Sequence, residues 1–225
     1  MADSAERMIL SYKTVYMGGT AEITEKKSRF IAHIAPAASE EEAVRFIEEK
    51  RKLYWDARHN CHAFTVGLSP EMSRCSDDGE PAQTAGKPML DVILGAGLKN
   101  TVVVVTRYFG GTLLGTGGLV RAYSAAVRAG LEASTIIEKQ LCSRMTVRMD
   151  YSMLGKIQYL AADLKLPVIS TDYTDLAQME LLVPVQMRDQ FMRQITEASG
   201  GKIVPEEGEI CYGAQADGQT LIFPA

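Results

Sequence analysis

The feature that most constrains the fold is a glycine-rich segment, residues 106–123, that lies between a strand pattern and a helix pattern. Residues 101–106 form a β-branched run that is typical of a strand buried on both faces. Residues 119–131 are rich in alanine and have the apolar spacing of a helix. A strand, an irregular turn and a helix in this order form a unit from which many anion-binding sites are built. The segment therefore predicts a mixed α/β domain with a candidate phosphate-facing turn.

Patterns before this unit predict the other elements of an amino-terminal domain. Residues 27–35 alternate as a half-buried strand does, and Pro36 ends the strand because it lacks a backbone donor. Ser39 and Glu42 form a capping box that starts a helix ending at residue 54. The remaining elements are predicted as a strand at residues 60–67, a long polar loop at 68–87 and a helix at 88–98.

The pattern changes at Leu141, where apolar alternation predicts a strand, and Ser152 is the predicted cap of a helix that ends at residue 166. A strand pair, a helix and a last strand follow, at residues 168–171, 179–185, 188–199 and after the Gly200-Gly201 pair. The order β-α-β-β-α-β is that of a ferredoxin-like domain. The predicted class is therefore α+β, with two domains at residues 1–138 and 139–225.

Composition limits the class of protein. Of the 225 residues 46% are hydrophobic, which is enough to bury a core and excludes global disorder. The longest apolar runs are far shorter than the roughly 20 residues that cross a bilayer, and residues 1–10 lack the basic and apolar pattern of a secretory signal. We therefore predict a cytoplasmic protein with no membrane partner. Its four cysteines form no CxxC pair, so they are expected to be reduced.

The charge balance bears on nucleic-acid binding. The net charge is −4, with 16 basic and 17 acidic residues up to Glu138 and 8 basic and 11 acidic residues from Lys139 onward. Neither part is basic, and non-specific binding to nucleic acid draws most of its affinity from clustered Lys and Arg. This balance argues against a strong non-specific grip and leaves a local basic site open.

The glycine turn has two interpretations. Gly115, Gly117 and Gly118 precede a helix, so free N–H groups and the positive end of its dipole are available to an anion, with Arg107 and Arg121 adding charge. The residues after Gly115 lack the Lys and Ser/Thr of a nucleotide-binding loop, and a valine replaces the third glycine of a dinucleotide fingerprint. Alternatively, the glycines only let the helix pack closely on the sheet.

Asp77, Asp78 and Glu80 form a carboxylate group in the predicted loop. Carboxylates can hold a hard cation such as magnesium, but this group lacks the twelve-residue ligand pattern of a calcium loop. The same sequence is good turn chemistry, so a structural role is favoured and neither a metal nor a cofactor is expected.

His59, Cys61 and His62 suggest a metal site or a nucleophile. On a strand, however, His59 and Cys61 share one face while His62 points to the other, so the three side chains cannot converge. A nucleophilic Cys61 would need a nearby base and a lowered pKa. A buried thiol is the favoured interpretation.

The segments DARHNCHAF, SDDGEPAQTAGKPML and TRYFGGTLLGTGGLVRAY resemble the signature of the IMPACT family, and the length is similar to that of its bacterial YigZ-type members. The resemblance covers essentially the whole chain. It implies an amino-terminal domain with the fold shared by a central domain of elongation factor G and several ribosome-associated proteins. It also implies a carboxy-terminal ferredoxin-like domain related to the last domain of elongation factor G. One departure is Gln83, which stands where relatives commonly have glycine.

The resemblance further implies a role in translation, because eukaryotic IMPACT proteins regulate translation by competing for the activator of the general-control kinase. The leading hypothesis is a non-enzymatic regulator or accessory factor that binds RNA, a ribosomal surface or a translation-regulating protein through a groove beside the glycine turn. The alternatives are a metal-dependent hydrolase and a pure protein-interaction module. The candidate binding residues are Arg58, His62, Asp77, Asp78, Glu80, Lys87, Arg107, Tyr108, Gly110, Gly111, Gly115, Gly117, Gly118 and Arg121.

Overall fold

The β-branched run before the glycine turn forms the central strand of an antiparallel sheet. The structure is a computed structural model that describes residues 8–69 and 71–225. It divides the chain into two compact units between Glu138 and Lys139. The elements up to this division are β1 (Ser11–Met17), β2 (Thr20–Glu25), β3 (Ser28–Pro36), α1 (Glu40–Leu53), β4 (His59–Val66), β5 (Met72–Ser76), α2 (Gly86–Gly95), β6 (Thr101–Tyr108) and α3 (Thr116–Glu132).

The five strands of this sheet follow the order β2-β3-β6-β4-β5, and each neighbouring pair is antiparallel. Helices cover both faces of the central strand. Val103 and Val105 of β6 pack into a core formed with α2 and α3, whereas Val102 and Val104 pack into a second core formed with α1. This alternation follows from the two-residue period of a strand. All four valines have an exposed fraction of 0%, so the predicted burial on both faces is confirmed.

The predicted start of α1 is confirmed at Ser39. Its side chain accepts a hydrogen bond from the backbone N–H of Glu42 at 3.3 Å. The Glu42 carboxylate reaches back to the backbone N–H of Ala38, at 2.8 Å, rather than to that of Ser39. Both ends of the capping box therefore satisfy backbone donors that have no partner within the helix.

Two predictions for this unit were wrong, and two strands were missed. The segment at residues 68–87 is not all loop, because it contains the edge strand β5 and the start of α2. Strands β1 and β2 were not predicted. Strand β3 is mostly buried rather than half-buried, because helices lie over both faces of the sheet.

The strands after α3 lie together in another sheet. From residue 135 onward the elements are β7 (Thr135–Met149), α4 (Tyr151–Asp163), β8 (Val168–Tyr173), β9 (Ala177–Pro184), α5 (Arg188–Ser199), β10 (Glu206–Ala216) and β11 (Gln219–Pro224). The strand order β11-β10-β7-β9-β8 is antiparallel throughout. The predicted sequence of strands and helices is present, with β11 added at the end.

The core of this unit lies between one face of the sheet and the two helices. Met145 and Val147 of β7 pack in it with Ile157 of α4 and Phe191 of α5. The predicted cap of α4 was wrong, because Asp150 rather than Ser152 occupies the N-cap position. Helix α5 has the predicted bounds and ends at Gly200, whose φ of 61° is left-handed.

None of the helices in the described residues combines the length and apolar character needed to cross a membrane. The prediction about a secretory signal concerns residues 1–10, and residues 1–7 of that stretch lie outside the described part of the chain.

His33 is a buried polar residue on the face of β3 that is covered by α1. It is 4% exposed, its Nδ1 lies 3.2 Å from Thr20 Oγ1, and its ring centroid lies 5.0 Å from that of Tyr54. Its Nε2 has no hydrogen-bond partner among the described residues. Burial, and secondarily the charge of Lys50, lower the pKa of His33 to about 4.

We expect His33 to make the protein less stable in acid. Because its pKa is about 4 when folded and about 6.5 when unfolded, the unfolded chain binds more protons between these values. Above this pH range, protonation of His33 does not change the free energy of unfolding. As the pH drops through the range, that free energy falls by up to about 3 kcal/mol. Calorimetric unfolding of the wild type and of His33→Gln between pH 7 and pH 4 measures the difference. Parallel curves for the two proteins would contradict the prediction.

Candidate functional site

The three motif segments, residues 56–64, 76–90 and 106–123, meet around the buried carboxylate of Glu80. Its Oε1 accepts hydrogen bonds from Arg107 Nη1 at 2.6 Å and from the Tyr123 hydroxyl at 2.8 Å. The side chains of Arg107 and Glu80 are only 7% and 3% exposed. Cys61 Sγ lies 3.3 Å from the Tyr123 hydroxyl. We call these four residues the Glu80 network, and each motif segment contributes at least one of them.

Cys61 is a buried thiol, as predicted. Its exposed fraction is 0%, and it donates to the backbone carbonyl of Asp77 at 3.0 Å. Burial raises the pKa of Cys61 well above its ordinary value, and burial likewise raises the pKa of Tyr123. A nucleophilic thiolate is therefore strongly disfavoured at this position.

Asp77 is used to fix its own loop. Its Oδ1 accepts from the backbone N–H groups of Ala85 and Gly86 at 2.9 and 2.8 Å, and its Oδ2 accepts from that of Gln83 at 2.8 Å. Partial burial raises the pKa of Asp77, but these hydrogen bonds and one from Thr84 together outweigh it and bring the pKa below its ordinary value. The carboxylate satisfies free N–H groups at the start of α2.

Gln83, the residue that departs from the family pattern, adopts an unusual backbone conformation. Gln83 has a φ of 62°, in the left-handed region that favours glycine. Its N–H still donates to Asp77, so the loop keeps its path with a side chain at this position.

Asp78 binds groups that lie outside its own loop. Its Oδ2 accepts from the backbone N–H of Asn60 at 2.7 Å, and its Oδ1 pairs with Arg51 Nη2 at 3.1 Å. His59 Nδ1 lies 2.9 Å from the Asp78 carbonyl oxygen. Each carboxylate of the loop is thus engaged by different groups. Across residues 8–69 and 71–225, no group of three or more His, Cys, Asp or Glu side chains is arranged to hold a metal ion.

Three glycines of the turn have backbone reasons to be glycine. A Cβ on Gly110 would lie 2.0 Å from the carbonyl carbon of Lys27, and its N–H donates to Ser28 Oγ at 3.1 Å. Gly111 and Gly115, the N-cap of α3, have φ values of 84° and 70° in the left-handed region. Gly117 is exposed, and Gly118 lies beside Leu114. These reasons are a close backbone approach and positive φ angles rather than close packing of the helix on the sheet.

The start of α3 is nevertheless open. Its N-cap provides no side-chain hydrogen bond, and residues 115–117 are exposed. Arg121 is exposed one turn further on and lines a cavity of about 220 Å³ together with Lys26, Glu25 and Gly118. Free N–H groups and two cations are therefore available on this side of α3.

The other candidate residues lie apart. Arg107 does not reach solvent, because its guanidinium is committed to Glu80, so it was wrongly expected to face a phosphate. Lys87 is exposed and pairs with Asp91. The Tyr108 hydroxyl donates to Asp56 Oδ1 at 2.8 Å.

The remaining two candidates, Arg58 and His62, also differ in their surroundings. Arg58 is exposed in the connection between α1 and β4. His62 is half-buried in a pocket with Arg51, its Nδ1 lacks a partner among the described residues, and burial followed by the charge of Arg51 lowers its pKa. The structure therefore does not gather the candidates into one site.

Sequence reasoning missed Tyr123 and Lys26. Tyr123 lies four residues after Leu119 and four before Val127, so its place in the buried stripe of α3 was visible. A buried tyrosine needs a hydrogen-bond partner, which is the signal that could have led to Glu80. Lys26 carried no local signal, because its proximity to α3 depends on how the β2–β3 hairpin packs.

Comparison with known proteins supports the motif resemblance. Residues 26–131 match the model of the Impact N-terminal domain, and residues 147–202 match that of a domain of unknown function (DUF1949). The chain is 40% identical to the IMPACT family member YvyE of Bacillus subtilis over 205 residues, which are 91% of this chain and 94% of YvyE. The chain belongs to the IMPACT family. Its similarity to YigZ of Escherichia coli, another IMPACT family member, is 37% identity over 79% of this chain and 88% of YigZ.

A solved structure also resembles this IMPACT family chain. A crystal structure of a hypothetical protein is 34% identical, covers 90% of this chain and 99% of its own chain, and has a TM-score of 0.57. The likeness extends over both units and supports a common fold.

We expect the Glu80–Arg107 pair to be strongly coupled. Glu80→Gln and Arg107→Met each leave a buried charge without its partner and should cost about 3–5 kcal/mol. The double variant leaves no unpaired charge, so its loss should be at least about 2 kcal/mol smaller than the sum of the single losses. Denaturant unfolding of the four proteins measures this cycle. Additive losses would show that the two charges are not coupled.

We expect Gly110→Ala to destabilise the amino-terminal unit by about 3 kcal/mol, at the upper end for an overpacked site, because the added methyl meets backbone rather than a movable side chain. Gly95→Ala is the matched control, since a Cβ there meets nothing within 4 Å and alanine favours a helix. Hydrogen exchange of the β3 and β6 amides measures both effects. Equal protection in the two variants would contradict the close approach.

Proposed function

We propose that this chain is a non-enzymatic regulator or accessory factor of translation, which acts by binding RNA, a ribosomal surface or a translation-regulating protein. The proposal rests on membership of the IMPACT family, whose eukaryotic members regulate translation, together with the geometry of the turn. The observation that carries it is the exposed, uncapped start of α3. It presents backbone donors on the same side of α3 as Lys26 and Arg121.

The turn also offers apolar contact. Leu113 is 83% exposed and Phe109 is 52% exposed, and both lie in the segment between β6 and α3. Exposed apolar side chains near Lys26, Arg121 and free N–H groups suit a partner that combines negative charge with an apolar or aromatic surface. A ribonucleoprotein surface has this chemistry.

The strand order supports the proposed ferredoxin-like assignment of the second unit. If β7, β8, β9 and β10 are taken as its four strands, their spatial order is fourth, first, third and second, with every pair antiparallel. This arrangement is expected of two interleaved βαβ units. The elongation factor G likeness of both units remains part of the proposal, and fold alone does not assign an activity.

The contacts of the three loop carboxylates argue against the hydrolase alternative. Asp77 binds backbone N–H groups, Asp78 binds Arg51 and Asn60, and Glu80 binds Arg107 and Tyr123. A metal ion would have to displace these partners. The alternative of a pure protein-interaction module, with a partner on the edge of the carboxy-terminal sheet, is separated from the main proposal by the following experiment.

We expect Lys26→Glu/Arg121→Glu to lower co-sedimentation with ribosomes at low salt by at least about fivefold, because phosphate contacts depend on positive charge and on salt. Arg193→Glu, at an exposed position of α5, is the control for charge reversal in the second unit. Arg107 is not suitable for reversal, because a second carboxylate would be buried beside Glu80. Sedimentation of the double variant at the wild-type level would overturn the role of this surface.

A further inference from the structure

The most exposed aromatic side chain of the described residues lies outside the three motif segments in the sequence. Trp55 is 82% exposed, and Leu53 beside it is 61% exposed. Tryptophan is usually largely buried, so a ring presented almost completely to solvent is informative when it belongs to a patch. Trp55 is also the only tryptophan in the chain.

The position of Trp55 is fixed by the turn that follows α1. The backbone N–H of Ala57 donates to the Tyr54 carbonyl at 3.1 Å, which closes the turn around Trp55. Asp56, the next residue, accepts a hydrogen bond from the Tyr108 hydroxyl at 2.8 Å. These bonds tie the turn to the end of β6. The backbone that carries the indole is therefore held in place before any ligand arrives, which lowers the entropy lost on binding.

The charges around this turn favour an anionic ligand. Lys52 and Arg58, three residues on either side of Trp55, are both exposed, and neither forms an ion pair with any residue in the described part of the chain. Arg29 lies over the Tyr108 ring at 5.5 Å, but Glu22 neutralises it. Two cations without an ion pair in the described residues therefore flank Trp55 in the sequence, with Asp56 as the only carboxylate among residues 54–57, although the whole chain has a net charge of −4.

We propose that Trp55, flanked by Lys52 and Arg58, is a stacking site for an unpaired base of single-stranded RNA. A flat exposed ring accepts the face of a base, and adjacent cations accept the phosphates on either side of it. A duplex keeps its base faces covered, so the site should distinguish single strands from duplexes. The inference deepens the proposed translation role by naming a ligand class, and it rests on that role for the choice of RNA.

The lone tryptophan makes the proposal directly measurable. Excitation at a wavelength absorbed by tryptophan alone reports only on Trp55. A twelve-nucleotide oligo(A) RNA should quench this emission in a saturable manner at low salt, and the matched oligo(A)·oligo(U) duplex should not. Quenching should weaken in Lys52→Glu/Arg58→Glu, because both phosphate contacts are reversed.

Binding of the same labelled oligo(A), followed by fluorescence anisotropy, tests the role of the ring. Trp55→Ala should weaken binding by about tenfold, as expected for the loss of one stacked base, and Trp55→Phe should retain most of the affinity. Tyr159→Ala is the matched control, because Tyr159 is 73% exposed on α4 in the other unit. Since both alanine variants alter exposed side chains, folding should be preserved.

The proposal is overturned if oligo(A) neither quenches Trp55 nor binds at low salt, or if Trp55→Ala binds as tightly as Tyr159→Ala. Equal quenching by the single strand and the duplex would also overturn it, because charge alone would explain the contact. If oligo(A) does not bind at Trp55 but ribosome binding persists and depends on Lys26 and Arg121, the stacking site is overturned and the proposed translation role is kept. If oligo(A) stacks on Trp55 but ribosome binding does not depend on Lys26 and Arg121, the glycine-turn surface is overturned and the stacking site is kept.

Discussion

The hydrogen-bonded ion pair between Glu80 and Arg107 joins a loop to the central strand of a sheet at a place where neither charge reaches solvent. Two buried charges are tolerable only when each has its partner and further hydrogen bonds, and Tyr123 supplies one of these from α3. Strand, loop and helix are thus held in one relative position. Within the same loop, Asp77 binds the backbone N–H groups at the start of α2.

The acidic, polar and nucleophilic residues of the motif segments are bound mainly by other groups of the same unit. The Cys61 thiol is buried with its pKa raised, and the three carboxylates bind separate groups of the protein itself. Catalysis requires a side chain whose reactive or hydrogen-bonding group is free to contact a substrate. The start of α3 differs from these groups, because its backbone is exposed and its N-cap makes no side-chain hydrogen bond.

The elements that sequence reasoning identified are those whose burial is periodic and local. The valines of β6, the Ser39 cap of α1 and the bounds of α5 depend on neighbours within a few residues or on a simple alternation. Strand β5 escaped because an edge strand with mostly exposed side chains has no apolar alternation to detect. The burial of Arg107 was also not predicted, because its partner Glu80 lies 27 residues earlier in the chain. In the sequence alone, an arginine beside glycines is as typical of an anion site as of a buried ion pair. Family resemblance located the motif residues without revealing that many of them bind each other.

The exposed turn at residues 54–57 has a consequence for how such a protein can diversify. The turn is anchored by its backbone and by Asp56, whereas the indole of Trp55 contributes little to the packed interior. A substitution of Trp55 would change the proposed binding surface without unfolding the unit. Surface substitutions away from such anchors usually alter stability by less than about 0.5 kcal/mol. Exchanges within the Glu80 network have the opposite outcome. Trp55 and Lys52 lie outside the three motif segments, whereas Arg58 lies within the first, so part of the proposed ligand surface can change while the motif is kept.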